Sequence, residues 1–195
     1  MGFHIQYGKT FCRNLTITIS PASPFARILA TLNSVHYDGC RLTTEQVNYA
    51  VLELLNNSLR AHRDRGVRAP ILLRFSMQPN GLSVYLRDRG GGFDTTQLPY
   101  RLHEDPSAID VHNEAFEAYR REYNYTRFGM GIYLAKKTFP YFSLTFINGN
   151  GEPTAWGNGD TDGTIIELST AAANAPGGEK AVTNPLGPEE QNIYA

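Results

Sequence analysis

Residues 43–64 read TTEQVNYAVLELLNNSLRAHRD, and this stretch decides how the chain is arranged. Thr43 followed by Gln46 has the spacing of a capping box, which satisfies two of the free amides at a helix start. Behind it, Val47, Ala50, Val51, Leu54, Leu55 and Ser58 recur at helical spacing and make one broad, mostly apolar stripe. Gly66 stands where a left-handed cap closes a helix. Glu53, Asn57 and Arg60 are four and three apart, so they stack on one face, beside the apolar stripe and not opposite it. A helix lying on a sheet would hold this carboxylate, amide and guanidinium at the edge of its buried side, where a cleft opens. Taken alone, the same pattern also fits a solvated polar face on an ordinary amphipathic helix.

Working outward, NLTITIS at 14–20 alternates with β-branched residues and stops at Pro21, so it reads as a strand. Residues 25–35 carry apolar residues at helical spacing, followed by a turn-like Tyr37-Asp38-Gly39. Beyond Gly66, residues 71–77 and 82–87 are β-rich runs joined by Pro79-Asn80-Gly81, a hairpin turn. Residues 95–127 lose periodicity, with room for a short helix at 114–123. A segment of that length inside a compact domain reads as a functional lid or mobile loop. Phe128-Gly129-Met130-Gly131 is expected to open a helix that runs to about Thr138, followed by strands at 141–148 and 163–168 and a turn-rich loop at 149–162. Residues 1–12 give no signal and read as an N-terminal extension. After Ser169 the chain turns Ala-, Gly-, Pro- and Glu-rich, and 170–195 read as a disordered tail.

A length of 195 residues suits one domain with an extension and is enough for a full core. The formal net charge of −1 supplies no basic field for nucleic acid or anionic lipid. The start, MGFHIQYGK, has no apolar signal-peptide core, Gln6 sits where a myristoylation motif needs Ser or Thr, and no apolar run approaches the length of a membrane span. Cys12 and Cys40 have no CxxC spacing, so reduced thiols and a cytoplasmic location are the expectation, with no metal site from cysteine.

Two glycine motifs carry the chemistry. Asp88-x-Gly90-x-Gly92 ends a strand. Glycines there let backbone approach a flat ligand, and the carboxylate can accept from an exocyclic amine. Gly129-x-Gly131 opens a helix, where free amides and the positive helix end favour a phosphate, with Lys136 and Lys137 further along. Neither the dinucleotide fingerprint GxGxxG nor a P-loop GxxxxGK[ST] is present.

Taken together and in this order, the motifs resemble those of the GHKL ATPases, which include gyrase, a class of heat-shock chaperones, histidine kinases and mismatch-repair proteins. Glu53-Leu54-Leu55-Asn56-Asn57 resembles the N box, Asp88-Arg89-Gly90-Gly91-Gly92 the G1 box, residues 128–136 the G2 box, and Asp162-Gly163-Thr164 the closing Gly-Thr element. The resemblance covers about 13–169. It implies an α+β fold: a two-layer α/β sandwich with a mixed, mostly antiparallel sheet covered on one face by helices. It implies ATP with Mg²⁺, Asn57 holding the metal against the phosphates, Glu53 activating the attacking group, and Arg60 at a basic position that touches phosphate. It further implies Asp88 receiving the adenine amine with Thr164 in support, Gly90 and Gly92 shaping the base pocket, and Gly129 and Gly131 letting lid amides reach the phosphates. This division of labour suits phosphoryl transfer, which needs positioning and charge neutralisation.

His4 and His36 lie in no heptad helix upstream, so a phosphoacceptor is expected on another chain. The strand and helix before the N box, and GGGFDTTQLP after Asp88, resemble the anti-sigma-factor serine kinases, which bind a sigma factor, phosphorylate Ser or Thr on an antagonist and usually dimerise. The expected partner is therefore a regulatory protein of sigma-factor or antagonist type, with a homodimer, and with neither nucleic acid nor membrane. The 95–127 segment is longer than a typical short anti-sigma lid. Three alternatives stand beside the kinase: a detached histidine-kinase-type catalytic domain, a nucleotide-gated binding module with little transfer, and an unrelated α/β protein.

Overall fold

The structure is a computed structural model that describes residues 2–125, 130–171 and 190–195. In chain order its elements are β1 (His4–Tyr7), β2 (Thr10–Cys12), β3 (Asn14–Ile19), α1 (Phe25–Asn33), β4 (Val35–Asp38), α2 (Thr44–Arg65), β5 (Ile71–Gln78) and β6 (Gly81–Arg87). Then follow α3 (Glu114–Glu122), α4 (Met130–Thr138), β7 (Tyr141–Asn148), β8 (Pro153–Thr154), β9 (Thr161–Ser169) and β10 (Glu190–Tyr194).

The main sheet among the described residues has the order β10-β3-β5-β6-β9-β7-β8. Every neighbouring pair is antiparallel except β10 with β3. The fold is therefore α+β, with a mixed, mostly antiparallel sheet. Period-two alternation decides its faces. Ile71, Leu73, Phe75 and Met77 of β5 are buried, and across the register Ile17, Leu73, Leu86 and Ile166 form one row. These side chains join Val47, Ala50, Val51, Leu54 and Leu55 of α2 in a single core. Each such aliphatic side chain stabilises the fold by about 1.5–3 kcal/mol when fully buried. The opposite row, Thr16, Arg74, Tyr85 and Glu167, carries polar groups away from that core.

The ends of α2 form as its sequence dictates. Thr43 Oγ1 accepts from the Gln46 amide and Gln46 Oε1 from the Thr43 amide, while Gly66 closes the helix at φ 66°. Such a capping residue contributes about 1 kcal/mol.

Several expectations from sequence need correction. Residues 4–12 are not a featureless extension: β1 and β2 pair with β4 in a second, three-stranded sheet, and Ile5 is fully buried. α1 ends at Asn33, because Val35 already belongs to β4, so Tyr37 and Asp38 are strand and only Gly39 turns. The tail is not wholly irregular, since β10 adds to the edge of β3, with Ala195 buried and its amide bonded to the Thr18 carbonyl. Residues 172–189 lie outside the described residues. The 149–162 loop contains β8, and β9 starts earlier than expected, at Thr161.

Candidate functional site

The polar edge of α2 faces the end of β6 across a cleft of about 860 Å³, and Glu53, Asn57, Arg60, Asp88, Gly90 and Gly92 all line it. Gly131 and Thr164 line it too. The sequence-derived residues that the structure describes thus meet in one hollow. Gly129 lies outside the described residues.

Asp88 is the most constrained of them. It is 5 % exposed, and its carboxylate accepts from three directions. Ser58 Oγ donates to Oδ2 at 2.8 Å, Thr164 Oγ1 donates to the same oxygen at 2.6 Å, and the Gly90 amide donates to Oδ1 at 2.8 Å. A carboxylate has about four lone-pair positions, so one acceptor position is left for a ligand donor. Ser58 reads from sequence as part of the apolar stripe, yet it is the α2 anchor of this carboxylate. A hydroxyl inside an otherwise apolar row was the signal.

Two glycines hold the turn close to its neighbours. A Cβ on Gly90 would stand 2.6 Å from the Ala61 Cβ, and one on Gly163 would stand 2.0 Å from the Asp88 carbonyl oxygen. At Gly90 the requirement is thus packing against α2. At Gly92, with φ 69°, it is backbone conformation. Phe93, Phe146 and Trp156 form a ring cluster at this end of the cleft, with centroid separations of 6.0 and 5.6 Å.

At the other end, Asn57 Oδ1 accepts from Arg60 Nη2 at 2.8 Å. A Cβ on Gly131 would come within 2.8 Å of Asn57 Nδ2, so α4 packs against α2 beside this amide and a larger residue would push the amide aside. Glu53 lies one turn before Asn57, half-buried on the same wall.

The segment after Gly92 is more structured than its sequence suggests. Turns of 3-10 helix at Thr95–Gln97 and Pro106–Ala108 precede α3. Tyr100, Ile109, Phe116 and Tyr133 make a small second core, in which Tyr100 stacks on Phe116 at 5.7 Å. Burial pushes the Tyr100 phenol well up. Lys136 does not line the cleft: its amine donates to the Leu102 and Glu104 carbonyls and pins this segment to α4. Desolvation lowers the Lys136 pKa, against the pull of Asp105 and Glu104. Tyr119 and Tyr123 add to the cleft wall from α3 and its end.

The sequence model of the family described as Histidine kinase-like ATPase domain matches residues 23–145, well over half of the chain. This protein belongs to that family. None of the curated proteins matches the chain. The matched region runs from α1 through most of β7 and so contains the α2 face, the Asp88 turn and the segment between them. Membership supports ATP binding by this histidine kinase-like ATPase domain. No helix among the described residues is long and apolar enough to cross a membrane.

The donor set fits an adenine nucleotide. The buried, spare-capacity carboxylate at Asp88 suits an exocyclic amine, and Gly90 and Gly92 line the cleft beside it. No group of three or more His, Cys, Asp or Glu residues able to hold a metal exists among the described residues. Mg²⁺ takes one or two protein ligands plus phosphate and water. Asn57 Oδ1, which accepts from Arg60, is the oxygen that would hold such an ion beside the phosphates, and the ion would supply charge neutralisation there.

Proposed function

We propose that this histidine kinase-like ATPase domain is an Mg-ATP-dependent protein kinase. Its substrate is a Ser or Thr hydroxyl on a partner regulatory protein of sigma-factor-antagonist type. The observation that carries the proposal is one cleft with Asp88, braced by Ser58, Thr164 and Gly90, at one end and Glu53 with Asn57 at the other. The first group suits a base; the second suits phosphates and an incoming hydroxyl.

In the transfer step the hydroxyl proton passes to the Glu53 carboxylate as the oxygen bonds to the γ-phosphorus. The bond from that phosphorus to the β–γ bridging oxygen breaks, and ADP leaves with the electron pair. Arg60 meets the phosphate charge, and Asn57 orients the metal-bound end. On this reading the protein works in the cytoplasm and pairs as a homodimer, as similar small kinases do.

A second reading has its own support: the 95–125 segment has a separate core and places Tyr100, Tyr119 and Tyr123 on the cleft wall, which suits a nucleotide-gated binding surface. The Glu53→Ala variant separates the two. A kinase loses about 10²- to 10⁴-fold in phosphotransfer, the usual range for a general base, with ATP affinity within about threefold. Partner capture that depends on ATP and is indifferent to Glu53→Ala would favour the gated module. Transfer to a histidine in the captured partner, read by mass spectrometry, would favour a detached histidine-kinase-type domain.

A further inference from the structure

His62 follows Ser58 by one turn of α2 and is fully buried. Its Nε2 accepts from the Arg89 backbone amide at 3.0 Å. An amide cannot donate to a protonated nitrogen, so this bond exists only with neutral imidazole and the proton on Nδ1. Nδ1 is buried, with no partner in good hydrogen-bond geometry among the described residues; the Ala69 backbone is the acceptor that acts on it. The ring also packs beneath the turn, for a Cβ on Gly90 would lie 3.3 Å from His62 Cδ2. α2 therefore grips the Asp88–Gly90 turn twice, through Ser58 on the carboxylate and through His62 on the next amide.

We propose that His62 is a positioning residue for base recognition: neutral, it holds the Arg89 amide and so aims the Asp88 carboxylate into the cleft, and protonated, it releases the turn and weakens nucleotide binding. The proposal rests on the nucleotide reading given above.

The groups that face His62 are Asp88 and Arg89 at the end of β6, Asp162 on β9, which is ion-paired with Arg89 at 3.0 Å, and the Ala69 backbone after α2. Burial pushes the imidazole below its ordinary value of 6.5 and outweighs the opposing pull of Asp88, Ala69 and Asp162. The unfolded chain takes up the proton first as pH falls. Stability contributed by neutral His62 is therefore full above about 6.5 and is lost as pH drops from there towards the lower folded value. Nucleotide affinity declines further into acid, around the lowered folded value, where the native protein's own ring takes up its proton and lets go of the turn.

The test is ATP affinity by calorimetry between pH 8 and 4.5 for the wild type, His62→Gln and His62→Leu. Gln offers a non-titrating oxygen at similar reach, and subtracting its profile removes the titration of ATP itself. We expect His62→Gln to bind within about threefold of wild type at pH 8, and the wild type to lose several-fold more affinity than His62→Gln towards the acid end of the range. His62→Leu should bind about tenfold more weakly at pH 8. Imidazole nitrogen NMR of the free protein at pH 8 should show Nε2 unprotonated, a result that does not require the Leu variant to fold. Equal pH slopes in wild type and His62→Gln, or a proton on Nε2, would overturn the role of His62. Failure of every form to bind ATP at pH 8, with the variants folded, would instead overturn the nucleotide reading itself.

Discussion

At one end of the cleft, Asp88 is fixed by donors drawn from α2, the glycine turn and β9, segments up to 76 residues away in the chain. On the lid side, Asp94, Asp105 and Asn113 accept from amides only two or three residues further on. Those amides, with the Thr96 and Ser107 hydroxyls, hold the Asp94 and Asp105 carboxyls below the ordinary carboxylate range. One end is a long-range cross-link that forms only when the whole domain folds. The other is a chain of local turns tied down by Phe116, Tyr100 and Lys136. Local opening draws on elements with few long-range bonds. On the proposed reading, a nucleotide site built this way would have a rigid place for the base and a separable cover.

The sharpest way to break this comparison is Asp88→Asn, which keeps the shape and removes the charge. A hydrogen bond to a charged group is worth about 1.5–3 kcal/mol, so ATP affinity should fall about 10- to 150-fold while any preference over GTP disappears. Calorimetry with both nucleotides checks it, and unchanged ATP affinity would remove Asp88 from base recognition.

Gly90→Ala probes the packing of the rigid end and leaves every charge in place. Its new methyl meets Ala61, and overpacking of this kind destabilises by about 1–3 kcal/mol. Urea unfolding should show the loss, and Ala61→Gly, which costs about 1 kcal/mol in a helix interior by itself, should cost less in the Gly90→Ala chain than in the wild type. If it costs the same in both, the turn is not seated on α2 as described.

Lys136→Met should have the smallest effect on the whole fold, within about 1 kcal/mol, because it removes only bonds to two carbonyls on the lid side. Its signature is local. Protease should cut within residues 95–125 faster than in the wild type, and ATP should slow the cut in both proteins. ATP affinity should stay within about threefold. Cleavage at the wild-type rate would show that Lys136 does not hold the segment.

The α2 helix, its caps and its buried stripe were legible because helix periodicity and capping are local: Thr43, Gln46 and Gly66 act within a few residues. The strand pair around residues 79–81 was legible for the same reason. β1, β2 and β10 were not. Three to five residues of ordinary composition become strands only when β4 or β3 supplies the partner, and that partner is distant in sequence. Within residues 95–125 the short helix at 114–123 was legible, while the 3-10 turns at 95–97 and 106–108 were not, because their apolar neighbours face a small core of their own and Tyr100 and Phe116 follow no long stripe.

By itself, then, the sequence determined the α2 face, the Asp88 turn and the order of motifs that marks the family. Tertiary structure alone decided that Ser58 and Thr164 would share one carboxylate oxygen, that His62 would sit under the neighbouring amide, and that Lys136 would bond the Leu102 and Glu104 carbonyls and stay out of the cleft lining. The physical reason is range. Periodicity and caps are set by residues within a turn or two, whereas the partner of a buried polar group is whichever distant segment the packed core brings to it.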